Sequence, residues 1–471
     1  MTEPSGLLPS RVAVLGFARS GRALTSALLD RGVEVSVGDR RPEGELGEAV
    51  SQMRERGVQF FLGEFPPERL LEGAGWLGLS PGVPSSAPIP RAARSRGIPV
   101  LAELEIAWRI AQKEVQGENR WVAVTGTNGK STTTAWIAEL LRRAGRRVAL
   151  AGNIGVPVSS FLEDRSARDF VCEVSSFQLE TISRFRADVA VVTNVTPDHL
   201  DRHGSFEAYA RAKARVFENQ RKGDFAVVNI DDEGSASLSG GGRRVPFSRH
   251  GVPEGGVGVA EGWLVSEVGG QRRQLLPAQE LALPGAHNLE NALAAVAAAD
   301  CLAAPLAAML EGLRRFTGLP HRTEIVAEGA GITWINDSKG TNVDATAKAL
   351  EGFPDGRVLL ILGGRDKQGD FGRLAPLARR RARLVLTIGE AAPVIERALA
   401  GATAIERSET MEKAVERAAA EARHGDTVLL SPACASFDQY ANFEERGEHF
   451  ARLARRAAER VRRGLEDEDG P

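Results

Sequence analysis

The stretch Val124-Thr-Gly-Thr-Asn-Gly-Lys-Ser-Thr132 joins an apolar run, Trp121-Val-Ala-Val124, to a segment with a helical pattern at 131–143. Gly126 and Gly129 can adopt backbone angles that point successive N–H groups inward. The helix that follows adds the positive end of its dipole to the same place. The stretch therefore predicts a strand, an anion-binding turn and a helix within an α/β sheet.

Two side chains in this stretch are typical of nucleotide binding. Lys130 offers a point charge for β- and γ-phosphates, and the Ser131 hydroxyl suits Mg²⁺. Val124 stands where the standard phosphate-loop pattern has glycine, so the loop is a shortened variant. A chance glycine-rich turn is the alternative, but the strand and helix on either side favour a site for ATP or GTP.

The whole chain alternates apolar strand-like runs with helical patterns, which is typical of parallel α/β domains. We expect three domains, at residues 1–110, 111–317 and 318–471, because 471 residues at about 100–200 per domain suggest two to four. The supporting strand-like runs lie at 11–16, 33–37, 98–101, 121–125, 170–174, 189–194, 226–229, 334–336, 358–362, 384–388 and 427–430.

Composition excludes several classes of protein. A net charge of −2 argues against bulk nucleic-acid binding, which needs a strong positive field. No run of about 18 apolar residues is present, so we expect no membrane span. Cys172, Cys301 and Cys434 are too few and too scattered for a disulfide framework. These features, with no visible signal peptide, predict a cytoplasmic protein.

Carboxylates and a histidine follow two further strand-like runs. Glu173 ends the first run, and Asp198, His199 and Asp201 follow the second. Ligands gather beyond the carboxyl ends of parallel strands, so these side chains are candidates to hold Mg²⁺ near the phosphate loop. A solvated glutamate at a strand end is an equal alternative for Glu173. Lys213, in a helical stretch at 206–219, has by itself the pattern of a solvated helix face.

A second glycine-rich turn lies near the start of the chain. Gly16-Phe-Ala-Arg-Ser-Gly21 follows a strand-like run and is similar to the dinucleotide fingerprint, with Ala18 in place of the middle glycine. This pattern alone is compatible with an NAD-dependent oxidoreductase, or with a turn that binds nothing.

Four motifs together resemble the Mur ligase family of ATP-dependent amide-forming enzymes, over nearly the whole chain. They are Thr125-Gly-Thr-Asn-Gly-Lys-Ser131, Glu173-Val-Ser-Ser-Phe-Gln178, Leu283-Pro-Gly-Ala-His-Asn-Leu-Glu-Asn-Ala-Leu293 and Ile335-Asn-Asp-Ser-Lys-Gly-Thr-Asn-Val343. The last, with Ser431-Pro-Ala-Cys-Ala-Ser-Phe-Asp-Gln-Tyr-Ala-Asn-Phe-Glu-Glu-Arg-Gly447, looks like the D-glutamate-adding branch of the family.

The resemblance implies a fold and a reaction. The fold would be a Rossmann-like first domain, a phosphate-loop ATPase-like central domain and a Rossmann-like last domain. ATP would phosphorylate the carboxylate of UDP-N-acetylmuramoyl-L-alanine, and the amine of D-glutamate would attack the acyl phosphate, releasing ADP and phosphate in peptidoglycan precursor synthesis. We expect two Mg²⁺ ions and no nucleic-acid or membrane partner. We also expect a monomer.

The resemblance also implies roles for individual residues. Lys213 matches a family lysine that reacts with CO₂ to form a carbamate, for which Arg could not substitute. The catalytic set would be Lys130, Glu173, His199, Lys213 and Lys339, with Ser131, Glu173, His199 and Lys213 at the metals. The nucleotide would contact Gly126, Thr127, Asn128, Gly129, Lys130, Ser131, Thr132, Asn288, Asn291, Arg322 and Asp337. The other substrates would contact Arg19, Ser20, Asp39, Gly82, Asn153, Ser175, Gln178, Thr341, Lys367, Ser436, Phe437 and Phe443.

Three departures from the family pattern concern the glutamate pocket. Gly340 stands where Ala is expected, Arg365-Asp366 replaces Asp-Gly, and Phe437 replaces Leu. Alternatives that remain are another amide ligase of the superfamily, an NAD-dependent oxidoreductase, and a nucleotide-binding scaffold without catalysis. The oxidoreductase leaves the phosphate loop unexplained, and a scaffold would be expected to lack Glu173, His199 or Lys213.

Overall fold

Three sheets flanked by helices make up the computed structural model, which describes residues 8–115, 117–153, 155–166, 168–283, 285–366 and 369–468. The first sheet is parallel and has the strand order β3-β2-β1-β4-β5. Strands β1 to β5 are Arg11–Leu15, Glu34–Asp39, Gln59–Leu62, Trp76–Leu79 and Val100–Ala102. Helices α1 to α6 are Arg19–Leu29, Glu43–Leu46, Ala49–Glu55, Pro67–Leu71, Pro88–Ser95 and Glu103–Glu114.

The second sheet has nine strands in the order β14-β13-β12-β11-β10-β9-β6-β8-β7. It is parallel except for the edge β12-β13-β14, which is antiparallel. Strands β6 to β14 are Arg120–Thr125, Val148–Gly152, Asp169–Glu173, Val189–Val192, Phe225–Asn229, Arg243–Ser248, Val257–Ala260, Trp263–Ser266 and Arg273–Pro277. Helices α7 to α13 are Lys130–Arg143, Ser176–Leu179, Leu200–His203, Phe206–Ala214, Glu233–Ala236, Ala286–Cys301 and Leu306–Arg315.

The third sheet has six strands in the order β15-β16-β20-β17-β18-β19, and only the β15-β16 pair is antiparallel. Strands β15 to β20 are Glu324–Gly329, Ile332–Asn336, Val358–Gly363, Ala382–Ile388, Ala404–Glu409 and Thr427–Leu430. Helices α14 to α18 are Val343–Glu351, Ala375–Arg381, Ala392–Ala398, Met411–Glu421 and Phe443–Glu468.

The central strands of these sheets are buried along their length. All residues of β8, β9 and β17 are buried, as expected for parallel strands covered by helices on both faces. Such strands read as continuous apolar runs, and this explains why the sequence pattern located them. The prediction of mostly parallel α/β sheets is confirmed.

The chain forms two compact units. One consists of residues 1–282 and 288–316 and carries the first two sheets; the other consists of 283–287 and 317–471 and carries the third. The domain boundaries at 110 and 317 stay predictions. Within the described ranges, no helix is both long enough and apolar enough to cross a membrane.

One predicted helix is shorter than expected. The pattern at 206–219 predicted a single helix, but α10 ends at Ala214 and the chain continues as a 3₁₀ turn at Arg215–Phe217. The Arg215 guanidinium donates to the carbonyl oxygens of Leu179, Glu180 and Ile182, so this turn is fixed against the segment that follows α8.

Candidate active site

The loop between β6 and α7 requires its two glycines. Gly126 and Gly129 have φ of +147° and +79°, angles that other residues rarely adopt. A Cβ on Gly126 would lie 2.0 Å from Thr193 Oγ1, and one on Gly129 would lie 2.3 Å from Asn291 Oδ1. The glycines therefore allow both an inward-facing backbone and close packing of the neighbouring elements.

The end of strand β9 holds this loop in place. The Asn128 N–H donates to Asn194 Oδ1 at 2.9 Å, and Thr193 Oγ1 donates to the Asn128 carbonyl at 2.6 Å. The Thr127 N–H donates to the Asn194 carbonyl at 2.8 Å. The sequence analysis did not identify Thr193 or Asn194 as functional, although both lie at the end of the strand-like run 189–194, just before Asp198 and His199.

Two lysines converge on one carbonyl of the loop. Lys130 Nζ donates to the carbonyl oxygens of Gly126 at 3.0 Å and Thr127 at 2.7 Å, and Lys213 Nζ donates to the Gly126 oxygen at 2.6 Å. Lys213 is 2% exposed. Burial, reinforced by the Lys130 charge, holds the pKa of Lys213 well below its usual value. The structure therefore shows a buried amine, where the local pattern had indicated a solvated helix face.

Tyr209 forms one wall around this amine. Lys213 Nζ lies 4.5 Å from the centroid of the Tyr209 ring, and the Tyr209 hydroxyl lies 3.1 Å from Thr127 Oγ1. Burial raises the pKa of Tyr209 above its usual range. Tyr209 was not predicted as a site residue; its position one helical turn before Lys213 is the signal that could have identified it.

Ser131 and Glu173 are paired where α7 begins. Ser131 Oγ donates to Glu173 Oε2 at 2.5 Å, and Asn153 Nδ2 donates to Glu173 Oε1 at 2.8 Å. A hydroxyl and a carboxylate are oxygen ligands that Mg²⁺ prefers. The described residues contain no group of three or more His, Cys, Asp or Glu arranged to hold a metal ion. One hydroxyl and one carboxylate would leave the remaining Mg²⁺ ligand positions to water or phosphate.

His199 lies in the loop that follows β9. It has a left-handed φ of +50°, and its side chain is half exposed. Its ring makes a T-shaped contact with the Phe177 ring, with centroids 5.0 Å apart, and its Nε2 lies 3.7 Å from Asp198 Oδ2. The imidazole is therefore oriented by an aromatic neighbour while it remains open to a ligand.

Helix α12 contributes two buried asparagines. Thr133 Oγ1 donates to Asn291 Oδ1 at 3.2 Å, and Asn291 Nδ2 donates to Asn288 Oδ1 at 3.3 Å. Thr132 is also buried. Asn291, which faces Gly129, thus joins helix α12 to the phosphate loop. A role for Asn288 and Asn291 in nucleotide binding stays a prediction.

Ser175 and Gln178 cap helix α8. Gln178 N–H donates to Ser175 Oγ at 3.2 Å, and Ser175 N–H donates to Gln178 Oε1 at 2.9 Å. This reciprocal arrangement is a capping box, which satisfies two backbone donors at the helix start. Both residues follow Glu173 and fix the direction in which the chain leaves β8.

A cleft of 1060 Å³ opens at the carboxyl ends of the first-sheet strands, lined by Asp39, Arg41 and Gly82 among others. Asp39 accepts hydrogen bonds from the Phe17 N–H at 2.7 Å and from the Arg41 guanidinium at 2.8 Å. Burial acts to raise the pKa of Asp39, but these hydrogen bonds outweigh it and hold the pKa below the usual value. Asp39 is therefore an ionised acceptor in the wall of this cleft.

The turn that precedes α1 is also built on glycine. Gly16 has φ of +93°, and Ser80 Oγ donates to its carbonyl at 2.7 Å. Arg19 and Ser20 begin α1, and Arg19 donates to the Gly155 carbonyl at 3.4 Å. Gly16, which precedes this helix, also lines the adjoining cleft. A substrate contact by Arg19 and Ser20 stays a prediction.

In the third sheet, Asp337 follows β16 and is buried. It accepts hydrogen bonds from Ser431 Oγ at 2.7 Å and the Thr323 N–H at 3.2 Å. Burial raises its pKa to about 6, although the Ser431 hydrogen bond and the Arg322 charge act in the other direction. A Cβ on Gly340 would lie 2.6 Å from Asp337 Oδ2, so the alanine expected at this position would require the Asp337 carboxylate to shift.

The other predicted glutamate-pocket residues lie around the start of α18. Lys339 Nζ is 5.4 Å from the centroid of the Phe443 ring, while Ser436 is buried and Phe437 is 62% exposed. The Thr341 N–H donates to the Lys339 carbonyl at 2.8 Å. Lys367 lies outside the described residues.

Arg446 organises this region, although the sequence analysis assigned it no role. It is 1% exposed and donates to the Ser338 oxygens and to the carbonyls of Gly363, Cys434 and Ala435, at 2.8–3.4 Å. Burial lowers its pKa to about 10, so the guanidinium stays charged at neutral pH. One cation therefore joins three loops that carry predicted pocket residues.

Comparison with known proteins supports the resemblance along the chain. Family models match at residues 10–102 (MurD-like N-terminal domain), 124–299 (Mur ligase middle domain) and 321–434 (Mur ligase, glutamate ligase domain). The chain is 44% identical to a UDP-N-acetylmuramoylalanine–D-glutamate ligase from Pelotomaculum thermopropionicum and 45% identical to one from Anaeromyxobacter dehalogenans. Each match covers 94% of this chain and 97% of the relative.

Solved structures share the fold. The UDP-N-acetylmuramate–alanine ligase MurC from Thermotoga maritima aligns with a TM-score of 0.59 at 21% identity, over 94% of this chain and 98% of that one. A MurF ligase from Thermotoga maritima, solved in complex with ADP, aligns with a TM-score of 0.59 at 17% identity, over 91% and 95%. With its fold, its motifs and its full-length relatives in agreement, this chain belongs to the Mur ligase family.

Proposed function

We propose that this chain is an ATP-dependent ligase that adds D-glutamate to UDP-N-acetylmuramoyl-L-alanine in peptidoglycan precursor synthesis. The observation that carries this proposal is the convergence of Lys130 and Lys213 on the Gly126 carbonyl, beside the Ser131–Glu173 pair. Relatives with this activity in their names match nearly the whole chain, which supports the choice of substrates.

The reaction needs an activated acid, because a carboxylate at neutral pH is a poor acyl donor. The substrate carboxylate attacks the γ-phosphorus of ATP, and ADP leaves with the electrons of the broken P–O bond. The D-glutamate nitrogen then forms a C–N bond at the acyl carbon, and phosphate leaves as the nitrogen loses its proton. Lys130 and the loop N–H groups offset the negative charge that these steps bring together.

Ser131, Glu173, His199 and Lys213 are proposed to hold two Mg²⁺ ions, which supply further charge neutralisation. The Lys213 amine is buried, and burial holds its pKa well below the usual value, which favours the neutral form that adds to CO₂. Its nitrogen forms a bond to the CO₂ carbon and loses a proton, which yields an anionic carbamate. That product gives a cation-binding oxygen at a position where the uncharged amine has none.

The remaining predicted residues are assigned by substrate. Around the nucleotide we propose Gly126, Thr127, Asn128, Gly129, Thr132, Asn288, Asn291, Arg322 and Asp337. For UDP-N-acetylmuramoyl-L-alanine we propose Arg19, Ser20, Asp39, Gly82, Asn153, Ser175 and Gln178. For D-glutamate we propose Lys339, Thr341, Lys367, Ser436, Phe437 and Phe443. The cytoplasm is the proposed compartment, supported by three cysteines that form no disulfide with one another. The monomeric state stays a prediction.

A substrate-selection assay tests the proposed function. The purified chain with ATP and Mg²⁺ receives UDP-N-acetylmuramoyl-L-alanine and, in parallel, D-glutamate, L-glutamate, L-alanine or a diamino acid. We expect ADP, phosphate and a new amide product, identified by mass, only with D-glutamate. An equal or faster reaction with another amino acid would move the chain to a different ligase of the family, and no product with any of them would reject ligation.

A further inference from the structure

Arg202 connects a first-sheet loop to the ring cluster around His199. Its guanidinium carbon lies 3.5 Å from the centroid of the Phe177 ring. Its two terminal nitrogens donate to the carbonyl oxygens of Pro81 and Val83, both at 3.2 Å. These carbonyls belong to the loop that follows β4 and contains Gly82, so one side chain contacts both this proposed substrate loop and the ring that packs against His199.

The ring of Phe177 extends this connection to His199. The His199 ring meets it edge-on at a centroid distance of 5.0 Å, and the His203 ring stacks on it at 5.3 Å with an interplanar angle of 13°. Arginine stacked on an aromatic face has its orientation restricted, so it can hold two acceptors at fixed positions. A shift of the Pro81–Val83 backbone would therefore displace the ring against which His199 packs.

A second connection runs beside the first. Ser85 Oγ donates to Glu180 Oε2 at 2.7 Å, and Glu180 Oε1 lies 3.3 Å from His203 Nδ1. His203 Nε2 lies 3.0 Å from Ser176 Oγ. The loop after β4 is thus joined to the Phe177 cluster at two points, through Arg202 and through Glu180.

We propose that Arg202 is a positioning residue that couples the loop holding the nucleotide-sugar substrate to His199. This proposal rests on the proposed function. The loop segment Pro81-Gly82-Val83 has no polar side chain. A hydrogen-bond donor that holds this segment must therefore bind its backbone carbonyl groups. Arginine can donate to two of them from one planar group, whereas lysine offers only a point charge.

The variant Arg202→Lys tests this coupling. Calorimetric titration with UDP-N-acetylmuramoyl-L-alanine in the absence of Mg²⁺ and ATP is expected to show about tenfold weaker binding, as lost hydrogen bonds of this kind predict. In turnover, the Mg²⁺ concentration for half-maximal rate should rise, while KM for ATP and D-glutamate stays within about twofold. An unchanged calorimetric Kd for the nucleotide-sugar would overturn the proposal. So would an equal change in the KM values for ATP, D-glutamate and UDP-N-acetylmuramoyl-L-alanine.

Two further variants make the result specific. Arg211→Lys changes an exposed arginine in the cleft beside Arg202 and is expected to leave every parameter unchanged. Ser85→Ala removes the second connection with little risk to folding, and should weaken calorimetric binding in the same direction by a smaller factor. If wild-type protein binds the nucleotide-sugar but makes no amide, the proposed function fails while the calorimetric comparison still tests the role of Arg202.

Discussion

Two buried cations, Lys213 in the second-sheet site and Arg446 in the third-sheet region, show opposite uses of burial. Lys213 is 2% exposed and Arg446 is 1% exposed. Lys213 donates to one loop carbonyl, that of Gly126, whereas Arg446 donates to four backbone carbonyls and a hydroxyl. The first site leaves an amine with little to stabilise its charge, and the second surrounds a charge with acceptors.

The chemistry of the two side chains explains the difference. Burial lowers the pKa of both groups: that of Lys213 falls well below its usual value, whereas that of Arg446 falls only to about 10. A neutral amine has a lone pair and can form a new bond. A guanidinium that stays charged can only attract and orient. The second-sheet site is thereby suited to covalent chemistry, and the third-sheet region to holding loops in register.

The largest expected effect comes from Lys213→Ala, which removes the reactive amine. If the Lys213 carbamate binds Mg²⁺, ligation should fall by about a hundredfold or more, the range seen when one electrostatic stabiliser is lost. Added acetate or formate should restore part of the rate, because a small carboxylate can take the place of the carbamate. Initial rates of phosphate release, with and without acetate, measure both effects.

Lys213→Arg is the matched control for this experiment. It keeps a cation at the position but has no neutral form at working pH. We expect low activity that acetate does not restore, since the guanidinium fills the space. Near-normal turnover in Lys213→Arg would show that the position needs only a positive charge, and would remove the contrast with Arg446.

The next effect in size concerns Arg446→Lys. Lysine offers one ammonium group to acceptors spread over three loops, so several buried carbonyls lose their donor. We expect about 2–4 kcal/mol lower free energy of unfolding, from lost hydrogen bonds to a charged group. Because the same loops carry Lys339 and Ser436, KM for D-glutamate should rise about tenfold, with KM for the nucleotide-sugar unchanged. Urea unfolding and steady-state kinetics measure these.

Arg455→Lys is a suitable control, because Arg455 lies on the same helix and donates to a single carbonyl, that of Val326. It should leave KM for D-glutamate within about twofold and unfolding within about 0.5 kcal/mol. A normal KM for D-glutamate in a folded but destabilised Arg446→Lys protein would show that Arg446 stabilises the fold without positioning the D-glutamate site.

The sequence predicted the second-sheet site better than the third. Strand β6, its loop and helix α7 were located because an apolar run, glycines at fixed spacing and a lysine occur together over a few residues. Several strands of all three sheets were missed. Among them are β4 and β11, since Trp76–Leu79 is short and Arg243–Ser248 carries two arginines and a proline. A local sequence pattern locates a strand or loop where its characteristic residues are contiguous in the chain.

Burial of charged side chains was not predictable from local pattern. The stretch around Lys213 resembled a solvated helix face, and only the family resemblance indicated a reactive amine. Arg446 has the spacing of an ordinary charged residue near the start of a long helix, and its acceptors come from residues 338, 363, 434 and 435. Contacts over such separations are a property of the folded chain.

The smallest expected effect is a change in pH dependence at Asp337, which lies 8% exposed in the same region as Arg446. Its pKa is about 6 when folded, against 3.8 ordinarily, so the folded form binds a proton more tightly than the unfolded form. The resulting stabilisation is fully present below about pH 4 and is lost as pH rises through 6, by up to about 3 kcal/mol.

Asp337→Asn should flatten this pH dependence, measured as hydrogen-exchange protection of β16. Asp355→Asn, at a half-exposed aspartate, should leave it unchanged. If protection against pH has the same slope in wild type and Asp337→Asn, the Asp337 carboxyl is ionised in the folded protein. Arg446 would then lie near a permanently charged carboxylate.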